Sequence, residues 1–128
     1  LTVVLDASAL LARLLREPGM DRVDEALRDA VMCTVNLAEV VGYFAREDVE
    51  PEAIRETLAD LPIVYVAPDE ALAIQAGLML PITRKAGLSL GDRFCLALAR
   101  ATNATALTAD RAWKDLAAEL GVEVELIR

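Results

Sequence analysis

Residues 1–19 read LTVVLDASALLARLLREPG. A β-branched apolar run over residues 2–5 stops on a single carboxylate, Asp6. A helical pattern starts at once, with Leu10, Leu11, Leu14 and Leu15 on one stripe. A buried strand that passes straight into a helix opens an α/β alternation, and the rest of the chain repeats it. Helices are expected over 7–16, 21–28, 36–47 (Asn36 as N-cap), 51–61 (Pro51 in the first turn) and 68–80 (stopped near Pro81). Two more are expected over 90–103 and over 110–121, the latter closed by Gly121. Strands are expected over 31–35, 62–67, 104–109 and 122–127, and residues 82–91 form a connection carrying Arg84 and Lys85. This alternation predicts an α/β fold, a mainly parallel sheet covered by helices on both faces, with one domain spanning 1–128.

The totals narrow the chemistry. The 128 residues suffice for one full core, and the 55% apolar fraction excludes disorder. No uninterrupted apolar run reaches the roughly 18 residues a membrane span needs. No basic segment precedes an apolar, cleavable one, so a soluble, cytoplasmic domain is expected, with no membrane partner. Leu1 in place of an initiator Met implies a short N-terminal trim. The net charge of −8 points away from a general nucleic-acid binder and leaves room for carboxylates gathered around a cation. The chain has no His, which removes Ser-His-Asp and Cys-His catalysis and imidazole zinc sites. Cys33 and Cys95 are read as small core hydrophobes.

Four acids remain. Asp6, Asp92 and Asp110 stand at or near helix starts, and Glu39 lies one turn into the helix after the second strand. Each taken singly fits a cap: Asp6 and Asp110 as N-caps, Asn36-x-x-Glu39 and Ser89-x-x-Asp92 as capping boxes. Together they read differently. Strand-to-helix turns of a parallel sheet share its carboxyl edge, where such sheets bind ligands. That edge gathers Asp6, Glu39 and Asp110, and Asp92 joins if its helix starts there. Carboxylates that close raise one another's pKa unless a hard divalent cation, Mg²⁺ or Mn²⁺, lies between them. Ser8 and Thr108, each two residues from an Asp, can orient a ligand carboxylate or a metal-bound water. Such a cation lowers the pKa of bound water and neutralises charge on a phosphodiester, so the expected chemistry is metal-assisted hydrolysis. Arg13, Arg16, Arg84, Lys85, Arg93, Arg111 and Lys114 are the available phosphate contacts. Arg93 and Arg111 directly follow candidate ligands.

The segments VVLDASALLA, TVNLAEVV, LSLGDRFCLALA and ALTADRAW, in this order, resemble the four acidic blocks of PIN domains, and within them the VapC toxins of toxin–antitoxin pairs. The resemblance implies a PIN-like three-layer α/β/α sandwich and a Mg²⁺- or Mn²⁺-dependent endoribonuclease. It also implies cutting of structured RNA such as tRNA or rRNA, a homodimer, and a cognate VapB-like antitoxin that blocks the site. By motif match Asp6, Glu39, Asp92 and Asp110 take the metal-binding, catalytic roles, with Ser8 and Thr108 beside them. Arg13, Arg93 and Arg111 are possible RNA contacts. Trp113 stands where Phe is more usual. The apolar helices SALLARLL and VDEALRDAVM read as core, or as a partner surface.

Two other aspartate chemistries fit less well. A haloacid-dehalogenase phosphatase needs a second Asp where Ser8 stands. A response-regulator receiver wants a Lys after the ALTA strand, and none follows it. A catalytically silent binding module, its acids only helix caps, is the alternative of a different class.

Overall fold

The structure is a computed structural model and describes residues 2–128. Its strands are β1 (Val3–Leu5), β2 (Ala30–Cys33), β3 (Val64–Val66), β4 (Thr105–Thr108) and β5 (Glu123–Leu126). Its helices are α1 (Ala7–Leu14), α2 (Met20–Ala26), α3 (Thr34–Arg46), α4 (Pro51–Ala59), α5 (Glu70–Leu78), α6 (Leu80–Thr83), α7 (Leu90–Ala101) and α8 (Ala112–Leu120). The strands form one sheet in the order β3-β2-β1-β4-β5, and every pairing is parallel. The three-layer α/β/α sandwich expected from the alternation is the architecture observed.

Two cores flank the sheet because successive side chains of a strand point to opposite faces. Val4 joins Cys33, Leu96, Ala106 and Trp113 on the side of α5, α7 and α8. Val3 and Leu5 join Leu10, Val23, Val40 and Leu107 on the side of α1, α2 and α3. The central strand β1 is therefore buried on both faces, which is why it reads as an unbroken apolar run. Cys33 and Cys95 are free and wholly buried, as small apolar residues would be.

The boundaries differ from expectation where tertiary contacts override local signals. Helix α3 starts at Thr34, two residues early, so Asn36 is no N-cap and lies buried in the first turn. Pro81 does not end the helical region. It sits in the first turn of α6, where its missing N–H needs no partner, and a 3-10 turn (Arg84–Ala86) follows. The expected strand over 62–67 shrinks to Val64–Val66 because it is an edge strand, paired on one side only, and Pro62 has no N–H to offer a ladder. Helix α1 buries Ala9, Leu10 and Ala12 completely, so the Leu-rich start is mainly core.

Trp113 on α8 is fully buried, and its indole N–H finds no acceptor. Two opposed effects then set the outcome of substitution. Trp113→Phe loses ring volume but removes an unpaired donor, and is expected to change stability by less than about 1.5 kcal/mol. Trp113→Ala leaves a cavity and is expected to cost about 3–5 kcal/mol. Urea denaturation of both variants checks this; a loss for Trp113→Phe as large as that for Trp113→Ala would contradict it.

Candidate functional site

The parallel order sets the site. Because β1 lies between β2 and β4, the carboxyl ends of these three strands are neighbours. Asp6 follows β1 directly, Thr108 ends β4, Asp110 lies two residues beyond, and α3, which carries Glu39, follows β2. Helix α7 packs against α3 and β1 and brings Asp92 in its first turn. Asp6, Glu39, Asp92 and Asp110, with Ser8, Tyr43 and Arg46, line one open cleft of about 500 Å³.

Asp6 is the buried member, 4% exposed. Its backbone carbonyl accepts from the first turn of α1, but its side chain makes no cap. The Ser8 hydroxyl (2.6 Å) and the Thr108 hydroxyl (2.8 Å) both donate to Asp6 Oδ2. The same two hydroxyls accept from the N–H groups of Ala109 (2.9 Å) and Asp110 (3.0 Å), so they also fix the loop after β4. Burial pushes the Asp6 carboxyl up to about 6; the two hydroxyls oppose this, and the charges of Asp92 and Glu39 add to it.

Glu39 is held by a clamp that the sequence did not reveal. The Asn36 side-chain amide, fully buried, donates to Glu39 Oε1 and to the Gly91 carbonyl, both at 2.9 Å. A Cβ on Gly91 would lie 2.4–2.6 Å from the Glu39 carboxylate, so a larger residue there would displace Glu39 from its place over the start of α7. Partial burial and the Asp92 charge raise the Glu39 pKa, and the Asn36 amide opposes them. Asp92 does form the expected capping box: the Ser89 N–H donates to its Oδ2 at 2.8 Å, and its own N–H donates to Ser89 Oγ at 3.1 Å. Burial again raises its pKa, against the Ser89 bonds and with the Asp110 charge. Asp110 is exposed and accepts from the Ala112 N–H at 3.0 Å.

Capping thus describes Asp92 and Asp110, and fails for Asp6 and Glu39. The donor set is all oxygen, and three of its carboxyls are pushed toward the neutral form by burial and, to a lesser extent, by a neighbouring acid. A hard divalent cation bound among such oxygens would relieve this repulsion. Among the described residues, no three acidic or cysteine side chains are already drawn around one cation position. Of the basic candidates, Arg13 pairs with Asp24, Arg93 donates to the Ala76 carbonyl of α5 at 3.1 Å, and Lys114 to the Val124 carbonyl at 2.8 Å. Neither these nor Arg111 lines the cleft; Arg46 does, and nothing local in the sequence singles it out.

A family model described as PIN domain matches residues 3–119. The chain belongs to the PIN-domain family. Solved structures share the fold at low identity. A DNA-bound VapBC from Salmonella typhimurium is 16% identical, with TM-score 0.76 over 100% of this chain and 99% of that one. FitAcB from Neisseria gonorrhoeae is 17% identical, with TM-score 0.71 over 98% of each chain. VapBC-5 from Mycobacterium tuberculosis, of the VapBC family of toxin-antitoxin systems, is 24% identical, with TM-score 0.61 over 99% and 98%. No curated protein sequence matches the chain.

Two outcomes follow from this PIN-domain geometry. A carboxyl whose folded pKa is raised stabilises the fold when protonated, and this contribution is lost as pH rises through the folded value. For Asp6 the window runs from about 4 to about 6, and the loss by pH 7 is up to about 3 kcal/mol in metal-free protein. Asp6→Asn is therefore expected to be more stable than the parent at pH 7 in EDTA, with the gap closing toward pH 4. Urea melts at both pH values test this, and a gap that does not change with pH would contradict it. Gly91→Ala displaces the flexible end of Glu39 from the Asn36 amide, a loss offset in part by alanine's better helix propensity, and is expected to change stability by no more than about 1 kcal/mol, read by thermal unfolding.

Proposed function

We propose that this PIN domain is a divalent-metal-dependent endoribonuclease, a VapC-type toxin restrained by a VapB-like antitoxin. The observation that carries the reading is the convergence of Asp6, Glu39, Asp92 and Asp110, from four separate elements, on one cleft in a chain without histidine. These four side chains would hold Mg²⁺ or Mn²⁺, whose hard character suits carboxylate oxygens. When bound, the cation supplies an activated water and offsets charge on the phosphodiester.

The chain's own residues do the rest. Ser8 and Thr108 fix Asp6 through Oδ2, while Oδ1 has no protein donor among the described residues. Asn36 orients Glu39 and ties it to the start of α7, keeping Glu39 and Asp92 in register.

Two apolar surfaces support the partner assignments. A groove of about 420 Å³ between α3 and α4, lined by Leu37, Val41, Val49, Ile54 and Leu58, would seat an amphipathic antitoxin helix. Ile74, Leu78, Leu80 and Leu90 are exposed on and beside α5 and would be covered in a homodimer. Structured RNA, tRNA or rRNA, is the proposed substrate, and the cytoplasm the proposed location. No helix among the described residues is long and apolar enough to cross a membrane. A silent binding module is the second reading, favoured by the caps that Asp92 and Asp110 make.

The purified chain, free of antitoxin, is incubated with a structured RNA pool in Mg²⁺, Mn²⁺ or EDTA. Asp92→Asn serves as control, since Asn retains an oxygen for the Ser89 cap. Discrete cuts are expected in either metal, absent in EDTA and reduced on the order of 100-fold or more in the variant. No cutting, with no Mn²⁺ binding by calorimetry, would leave the binding module. Mn²⁺ binding that Asp92→Asn weakens, without cutting, would retain the site and reject the RNA chosen.

A further inference from the structure

Helix α3 contributes more to the cleft than Glu39. Glu39, Gly42, Tyr43 and Arg46 follow the spacing i, i+3, i+4, i+7, and all four line it. They form one stripe leading from the acidic end toward the end of the helix. Gly42 leaves it open, with nothing within 4 Å of where a Cβ would stand. Tyr43 lies edge-on against Phe44, ring centroids 5.4 Å apart and planes at 88°. Phe44 in turn packs on the core beneath α1 and α3, which fixes the phenol ring. The Arg46 guanidinium stands 5.2 Å from the centre of that ring. Its acid neighbour Glu47 is 3.8 Å away, and both side chains are well exposed, a pair too solvated to hold the arginine.

Resting on the nuclease reading above, we propose that this stripe is the RNA track of the cleft. Arg46 takes a backbone phosphate next to the scissile one, and the Tyr43–Arg46 stack supports an unpaired base. Charge selects Arg46: it is the one cation among the described residues lining a cleft that has four carboxylates. Arg13, Arg93 and Lys114 are committed to protein acceptors elsewhere. Chemistry selects the base: a guanidinium plane and an aromatic ring are the surfaces on which splayed nucleobases stack. A paired base hides both faces, so the track favours single-stranded segments within a folded RNA. Gly42 leaves room for the sugar-phosphate chain to cross between the acids and the stack.

Arg46 also lies in the last turn of α3, where a cation favours the helix dipole. The test must read something that such a role leaves unmoved. Binding of a short fluorescein-labelled RNA, single-stranded or annealed to its complement, is measured by anisotropy in Ca²⁺ across a salt series, with gels to monitor cutting. Arg46→Ala is expected to lose on the order of tenfold in affinity for the single strand, and to make the slope of log affinity against log salt shallower by about 0.7. Arg46→Lys keeps the slope but not the full affinity. Tyr43→Ala weakens the single strand by on the order of tenfold and the duplex little. Gly42→Leu blocks RNA while Mn²⁺ affinity, by calorimetry, stays at the parent value in all four variants. If parent and Arg46→Ala bind RNA alike with one salt slope, the track is refuted and the nuclease reading stands. If the parent binds neither the single strand nor the duplex, the track is refuted as well, while the nuclease reading is decided separately by the Mg²⁺ and Mn²⁺ cutting assay above.

Discussion

The hydrogen bond from the Thr108 hydroxyl to the Asp6 carboxylate holds the organisation of this molecule in small. It spans 102 positions in sequence and 2.8 Å in space, joining the ends of the two strands at the sheet's centre. Parallel pairing of β1 with β4 makes it possible, because Leu5 stands opposite Leu107 and the next residues emerge side by side. Ser8 completes the arrangement from the first turn of α1, donating to the same oxygen and accepting from the loop after β4. A carboxylate is thereby retained at 4% exposure between two apolar cores. Burial of that kind is tolerable only because both donors are present, and it still leaves the charged form disfavoured.

The unfavourable electrostatics of the cleft and its proposed function have one origin. Asp6, Glu39 and Asp92 each have a raised pKa, burial is the largest cause in each, and a neighbouring acid is among the causes. A fold selected for stability alone would replace such groups, since a like-charged cluster opposes compaction. A ligand that binds only the folded state reverses the balance by mass action. A divalent cation here would stabilise the chain as it armed the cleft, so stability in EDTA and in metal would differ most in the pH range where Asp6 is ionised.

Much of this was legible in the sequence. The βα alternation, the buried first strand, the carboxyl-edge placement of the acids and the Ser89–Asp92 box all depend on spacing along one element or on a rule of parallel sheets. What was not legible depends on contacts between elements. Asn36 looks like a helix cap until α7 is placed against α3, when its amide is found bridging Glu39 and Gly91. Gly91 looks like an ordinary first-turn glycine until the Glu39 carboxylate is laid over it. Arg93 seems to border the site by adjacency to Asp92, yet successive helix positions point about 100° apart, and its guanidinium reaches α5 instead. Pro81 signals a stop only if the helix must go on straight; here a new short helix begins there.

The choice between capping and metal binding, framed at Asp6 by its place after the first strand, is also less exclusive than it looks. A carboxylate has two oxygens and about four lone-pair sites, and a cap occupies one of them. Asp92 accepts from the Ser89 N–H through Oδ2, and Asp110 accepts from the Ala112 N–H through Oδ1. In each case the bond fixes the rotamer and leaves the second oxygen for another partner. At Asp6 the fixing is done by hydroxyls, and at Glu39 by an amide. Four local devices thus achieve one result, a carboxylate oriented before any ligand arrives. Orientation of this kind lowers the reorganisation a cation would demand, and it is why helix starts recur at a site where charge must be held still.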